Sequence, residues 1–263
     1  MRTHGISFSI GVTAGVFGGL MGVGGGIILI PLLTGLLNLD QSRAHGTSLA
    51  VLVFTGISGA VTYGWHGQID WMAAAALAVP AVFTASAGAR LADRLPGWKL
   101  KRVFGAFLIF CSTLLLFKPF LAGKIGLLSG DASIAALIVT GTVTGFLSGL
   151  MGVGGGALMI PAMILLAGFT QHTAQGTSLL VMIPTGLAGA IAHYRLGNVA
   201  GGLLFSVAPG IVLGAFFGGK IAQFIPDDPL RWIFVLTTII MGWRYIKTAA
   251  PRFRLRQSND SGY

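Results

Sequence analysis

Long apolar stretches alternate with short polar breaks along the chain, and the stretches recur in the same order in each half. Apolar runs occupy residues 47–63, 71–92, 103–117, 132–151, 177–194, 201–219 and 232–243 with their flanks. Each is near the roughly 20 residues a helix needs to cross a bilayer core. The pattern predicts five apolar segments in the first half, at 6–22, 27–37, 44–63, 71–94 and 98–117. It predicts five more at 136–152, 157–167, 174–194, 201–224 and 230–247. The second segment of each half has only 11 residues, a rise of about 16 Å against a core of about 30 Å, too short to span untilted.

The correspondence between halves extends to the letters. Residues 15–31 (GVFGGLMGVGGGIILIP) and 145–161 (GFLSGLMGVGGGALMIP) share 11 of 17 positions at an offset of 130. Residues 41–60 and 171–190 share another 11 of 20 at the same offset. The chain therefore divides into a first membrane repeat (1–117), a linker (118–131), a second repeat (132–248) and a basic tail (249–263). Internal duplication of this kind governs the whole architecture.

Composition sharpens the class. The chain is 54% hydrophobic and 9% charged, against roughly 25% charged in an ordinary soluble domain. It has no glutamate. This is the composition of an all-α integral membrane protein. The net charge of +10 then reports topology rather than nucleic-acid binding. The single cysteine, Cys111, allows no internal disulfide. An N-terminal apolar stretch that is copied inside the chain reads as a membrane segment, not a leader.

Basic residues orient the loops. Arg90, Arg94, Lys99, Lys101 and Arg102 flank the fourth and fifth segments, and Arg244, Lys247, Arg252, Arg254 and Arg256 lie at the C-terminal end. The matching connection of the second half has Lys220 and Arg231 offset by Asp227 and Asp228. Two repeats of inverted topology, both termini cytoplasmic, reproduce that asymmetry. Each repeat then has three to five crossings, including a short broken or re-entrant helix after the GVGGG turn. A four-crossing repeat, with the first two segments merged into one broken span, would instead make the copies parallel. Tyr63, Trp65 and Trp71 resemble an interfacial aromatic belt.

The chemistry lies in the duplicated motifs. Three successive glycines break a helix within lipid, which cannot satisfy the freed backbone groups. Gly22, Gly24, Gly25 and Gly26, with Gly152, Gly154, Gly155 and Gly156, immediately precede the short segments. The first-turn N–H groups of those segments form a potential anion site. The repeated GTS (Gly46, Thr47, Ser48; Gly176, Thr177, Ser178) either adds hydroxyls to that site or caps the third segment. His45 and Gln175 occupy equivalent positions before it. Such a histidine is either a buried hydrogen-bonding group or a proton-linked switch. No acid lies in these motifs, which argues against a cation site. Gly11, Gly15 and Gly19, repeated as Gly141, Gly145 and Gly149, have the spacing that lets helices pack closely in lipid. Pro31 and Pro161 are expected to end or kink the short segments. Arg195, with His193, reads as a cytoplasmic anchor or as anion recruitment.

Two other motifs carry less. GVGGG lacks the spacing of a nucleotide loop. Gly56-Ile57-Ser58-Gly59 matches the G-x-S-G of intramembrane serine proteases, but its copy has Ala188 in place of Ser58.

Duplicated G-x-G-G-G…P blocks, each followed by A-x-G-T-S, resemble the TauE/SafE sulfite exporter (TSUP) family over nearly the whole chain. The resemblance implies an inner-membrane secondary transporter of sulfite, thiosulfate, sulfoacetate or a related organosulfonate, with exporters usual. No cofactor is expected, and the expected partners are that anion, the lipid bilayer and further copies of the chain, with no nucleic acid. An anion channel, a non-transporting membrane scaffold and an intramembrane hydrolase are the rival classes.

Overall fold

The computed structural model describes residues 2–116 and 131–248. The expected linker falls almost entirely, and the expected tail wholly, outside these residues. Among the described residues are ten α-helices: α1 (Arg2–Met21), α2 (Gly26–Leu36), α3 (Gln41–Gly64), α4 (Trp71–Ala92) and α5 (Gly97–Leu116), then α6 (Asp131–Met151), α7 (Gly156–Leu166), α8 (Gln171–Arg195), α9 (Gly201–Gln223) and α10 (Asp227–Thr248). The described residues form helices and no strands, in keeping with the all-α expectation. Five helices, α3, α4, α6, α8 and α9, are long and apolar enough to cross a membrane.

The polar first turns of α3 and α8 extend those helices beyond their apolar runs. Asp40 and Thr170 precede them in extended backbone, and the Thr170 hydroxyl accepts from the Thr173 N–H. Consequently both GTS motifs sit more than a turn inside a helix. Their hydroxyls do not cap it.

The halves interlock rather than stand side by side. α1 packs on α9 and α4 on α6, while α3 meets α8 and α5 meets α10. The spaced glycines make the first two pairings possible. A methyl on Gly11, Gly15 or Gly19 would overlap the carbonyls of Val207, Ile211 and Ala215. One on Gly141, Gly145 or Gly149 would overlap those of Leu77, Ala81 and Ala85. In both pairs the numbering rises together, so the helices run parallel. α3 and α8 run antiparallel instead: Gly56 lies against Leu179 and Ile183, and Gly186 against Leu49 and Val53. α5 and α10 are also antiparallel, with Gly105 against Gly242 and Ser112 bonded to Thr238.

α1 and α2 do not merge into one broken span. After Met21 the chain doubles back, so that Gly25 abuts Ala14 and Leu36 lines the same surface pocket as Gly5 and Ile6. Reversal is possible because Gly22, Gly24 and Gly25 adopt φ of 71°, 82° and 80°, a region costly for other residues. Gly152, Gly154 and Gly155 repeat it at 71°, 88° and 76°.

Pro31 lies inside α2 and does not end it. Lacking an N–H, it leaves the Ile27 carbonyl without its helical donor. The Tyr245 hydroxyl donates to that carbonyl at 3.1 Å. Tyr245→Phe should therefore cost ~1–3 kcal/mol, the penalty of an orphaned buried acceptor. In a Pro31→Ala background, where residue 31 regains a donor, the same change should cost less. Thermal unfolding of the four proteins of this cycle checks both statements.

The two ends of the helix bundle differ in charge. One end holds the start of α1, the end of α2, Lys101 and Arg244. There Asn198, from the α8–α9 connection, bonds to Asp93 at the end of α4. The other end holds Asp227, hydrogen-bonded to His172 at 2.6 Å, and Asp228, paired with Arg231 at 2.9 Å.

Candidate functional site

The two glycine turns meet at the centre. A Cβ on Gly26 would lie 2.8 Å from the Cα of Val153, and one on Gly156 would lie 3.0 Å from the Cα of Val23. The N-termini of α2 and α7 therefore face each other. N–H groups at the start of a helix have no intrahelical acceptor and carry its positive partial charge. Around them, the buried polar residues include no aspartate, lysine or arginine among the described residues.

Each turn is held by the other half. Gly22 packs on Gln175, a Cβ there falling 2.6 Å from that of Gln175, and Gly152 packs on His45, 2.6 Å from its Cα by the same measure. The GTS motif divides its work by residue. Gly46 lets the Asn198 carbonyl approach, and Gly176 does the same for that of Gln68. Thr47 Oγ1 accepts from the Ala200 N–H at 2.9 Å, and Thr177 Oγ1 from that of Asp70 at 3.0 Å. Ser178 Oγ lies 2.6 Å from the Gly22 carbonyl, to which it donates, and 2.8 Å from that of Gln175. The threonines thus anchor the loops after α8 and α3, while Ser178 reaches the turn. Ser48, its equivalent, is fully buried and has no partner for its hydroxyl.

Breaking a helix frees carbonyls, and side chains from the other elements satisfy them. Tyr63 Oη lies 3.0 Å from the Gly19 carbonyl and 2.8 Å from Gln175 Oε1. At the equivalent position, His193 Nε2 lies 3.0 Å from the Gly149 carbonyl. The belt expectation therefore fails for Tyr63, which is fully buried, while Trp65 and Trp71 are each 70% exposed. His193 likewise turns inward, whereas its neighbour Arg195 is exposed. His45 Nε2 lies 2.6 Å from Gln41 Nε2.

Two residues that the motifs do not mark lie between the turns. Leu52 and Met182, equivalent at the offset of 130, are fully buried. Leu52 lies against Gly24 and Gly154, and Met182 against Gly24, Gly154 and Gly156. None of the eight glycines of the turns has room for a Cβ: the nearest atom would fall within 2.9 Å. The turns are closed on one another. Polar atoms without partners nevertheless surround them, namely Ser48 Oγ, Gln175 Nε2, Ser148 Oγ and His193 Nδ1, with Thr55 and Thr185 hydroxyls a turn beyond Leu52 and Met182. Buried polar groups are rarely left so.

Ser58, by contrast, donates to the Val212 carbonyl at 2.8 Å. Its hydroxyl ties α3 to α9.

Fold and site together define a multi-pass helical membrane protein with a doubled, uncharged polar centre. Residues 4–245 match the sulfite exporter TauE/SafE family, and the chain belongs to that family. It is similar to the probable membrane transporter protein YunE of Bacillus subtilis (strain 168), at 32% identity over 82% of this chain and 86% of the relative. It is 28% identical to the probable membrane transporter protein YdhB of the same organism, over 87% of this chain and 94% of that one. It is also 28% identical to the probable membrane transporter protein MJ0441 of Methanocaldococcus jannaschii, over 89% and 91%. No solved structure matches.

Proposed function

We propose that the protein is a secondary transporter of a small sulfur-containing anion, such as sulfite, thiosulfate or an organosulfonate, working by alternating access. The observation that carries this is the meeting of two helix N-termini, α2 and α7, amid unpartnered neutral polar side chains. An anion is the guest such a centre suits, because donors and dipoles point at it and no carboxylate repels it. The family's name supplies the sulfur chemistry.

Inverted repeats underlie this reading, and helix direction supports them. Equivalent helices α3 and α8, like α5 and α10, pack antiparallel, as they must if the repeats face opposite sides. The in-and-back α1–α2 pair with three further helices gives each repeat the odd count that inversion needs. We read the basic end as the cytoplasmic one, with Arg2 at the start of α1 and Thr248 at the end of α10 on that side of an inner membrane. Rocking of one repeat against the other would part the turns and admit the anion.

An anion panel tests the reading. Purified protein should be stabilised by millimolar sulfite, thiosulfate or sulfoacetate but not by equal chloride, by ~2.7 kcal/mol at a hundred times Kd. Vesicles carrying the protein should move the same anion. A panel in which none outperforms chloride, in stabilisation or in flux, overturns the proposal.

A further inference from the structure

A groove of about 430 Å³ runs along α2, from Ile28, just past the first glycine turn, to Leu36. Its floor is apolar: Ile28, Ile30, Pro31, Leu32, Leu36 and Met241. Lys101 of α5 and Arg244 of α10 line it as well. The faces beside it point outward, since Leu36, Ile240 and Trp243 are 59%, 55% and 55% exposed. In a bilayer those faces meet lipid.

Tryptophans mark the depth of the two cations. Trp98 carries Lys99 and Arg102 over its ring, and Trp243 carries Lys247. Tryptophans are enriched at the headgroup level. Lys101 follows Trp98 by three residues, and Arg244 is next to Trp243. Long cationic side chains there extend toward the headgroups while their stems line apolar surface. An apolar trough with two cations at headgroup depth has the form of an acyl chain and a negative headgroup.

The opposite end of the molecule supplies the contrast. Arg231, equivalent to Lys101 at the offset of 130, lines a cavity of about 460 Å³. That cavity also contains Asp227 and Asp228, and Asp228 neutralises Arg231. The fold repeats the position but cancels its charge. Lys101 is partly buried and has no ion pair among the described residues.

We propose that the groove between α2, α5 and α10 is a site for one anionic phospholipid of the cytoplasmic leaflet, held through its phosphate by Lys101 and Arg244. Basic pockets between membrane helices on that side are where such headgroups bind. The site has a mechanical consequence. α2 begins at the glycine turn and forms one wall of the groove, so a lipid seated there bears directly on the helix that must move.

The test needs no transported anion, so it stands or falls separately from the substrate reading. Detergent-purified full-length protein is titrated with dioleoylphosphatidylglycerol or dioleoylphosphatidylcholine, and thermal unfolding is followed. The expected result is a saturable rise in Tm with phosphatidylglycerol only. K101Q/R244Q should weaken that response at least tenfold, while K101R/R244K keeps it. Should the double variant not fold, K101Q alone should weaken the response less but measurably. Equal stabilisation by both lipids overturns the proposal, as does an unchanged phosphatidylglycerol response in the glutamine variants. So does a Lys101-dependent rise produced by sulfite without lipid, which would make the groove a substrate vestibule.

Discussion

Gly25→Val and Gly155→Val should each abolish transport, and both should lower thermal stability severely. Two costs combine at each position. The backbone lies at φ of 80° and 76°, where a non-glycine residue costs ~1–3 kcal/mol. The new side chain also has nowhere to go, since a Cβ would overlap the Ala14 carbonyl at Gly25 and Thr144 at Gly155. Relief would require α2 or α7 to slide along its neighbour, moving the very N–H groups proposed to bind the anion. Gly202→Val is the control, at the exposed start of α9 with nothing within 4 Å of the added Cβ. It should transport normally. Size-exclusion profiles and thermal unfolding report the fold, and vesicle uptake of sulfite reports the site. A well-folded Gly25→Val protein with wild-type uptake would remove the turn from the mechanism.

Much of this arrangement was legible because the chain states it twice. The offset of 130 announces two copies, and the glycines at spacing four announce close helix approach, which α1–α9 and α4–α6 realise. The GVGGG blocks announce a break in each copy. Periodicity could not say whether that break joins two half-spans or turns the chain back. Only the seating of Gly25 beside Ala14 decides it. Tyr63 was misread because an aromatic near the end of an apolar run has the same signature whether it faces headgroups or the core. Its position opposite His193 was visible in the alignment of halves, and both face a carbonyl freed by the break. A search for donors at equivalent positions could have found them. Thr47 and Thr177 show the reverse case. Their motif was evident, but its use as a loop anchor depends on the Asn198–Ala200 and Gln68–Asp70 segments folding back, which local sequence does not specify. Leu52 and Met182 carried no signal at all, being ordinary apolar residues in apolar helices.

Those two residues bear the second large prediction. Leu52 and Met182 fill the space between the turns, so their size sets how firmly the centre is shut. Truncation to alanine removes buried volume, at ~2–5 kcal/mol for each site. The volume opened is not dry in character. Thr55 and Thr185 lie three residues on, hence on the same helix faces, and both hydroxyls lack partners. Polar groups of that kind are what a water needs in order to enter a cavity. L52A/M182A should therefore leak: sulfite trapped in vesicles should escape faster than through the wild type, and chloride should escape with it. The volume-conserving pair L52M/M182L should cost less than ~1.5 kcal/mol for each change and keep the vesicles tight. The comparison separates plugging from general weakening, because a merely destabilised carrier loses uptake without gaining leak. A folded L52A/M182A protein whose vesicles hold sulfite as well as the wild type would mean that the glycine turns alone close the path. The barrier would then reside in backbone contact between Gly22–Gly26 and Gly152–Gly156, not in the two side chains wedged against them.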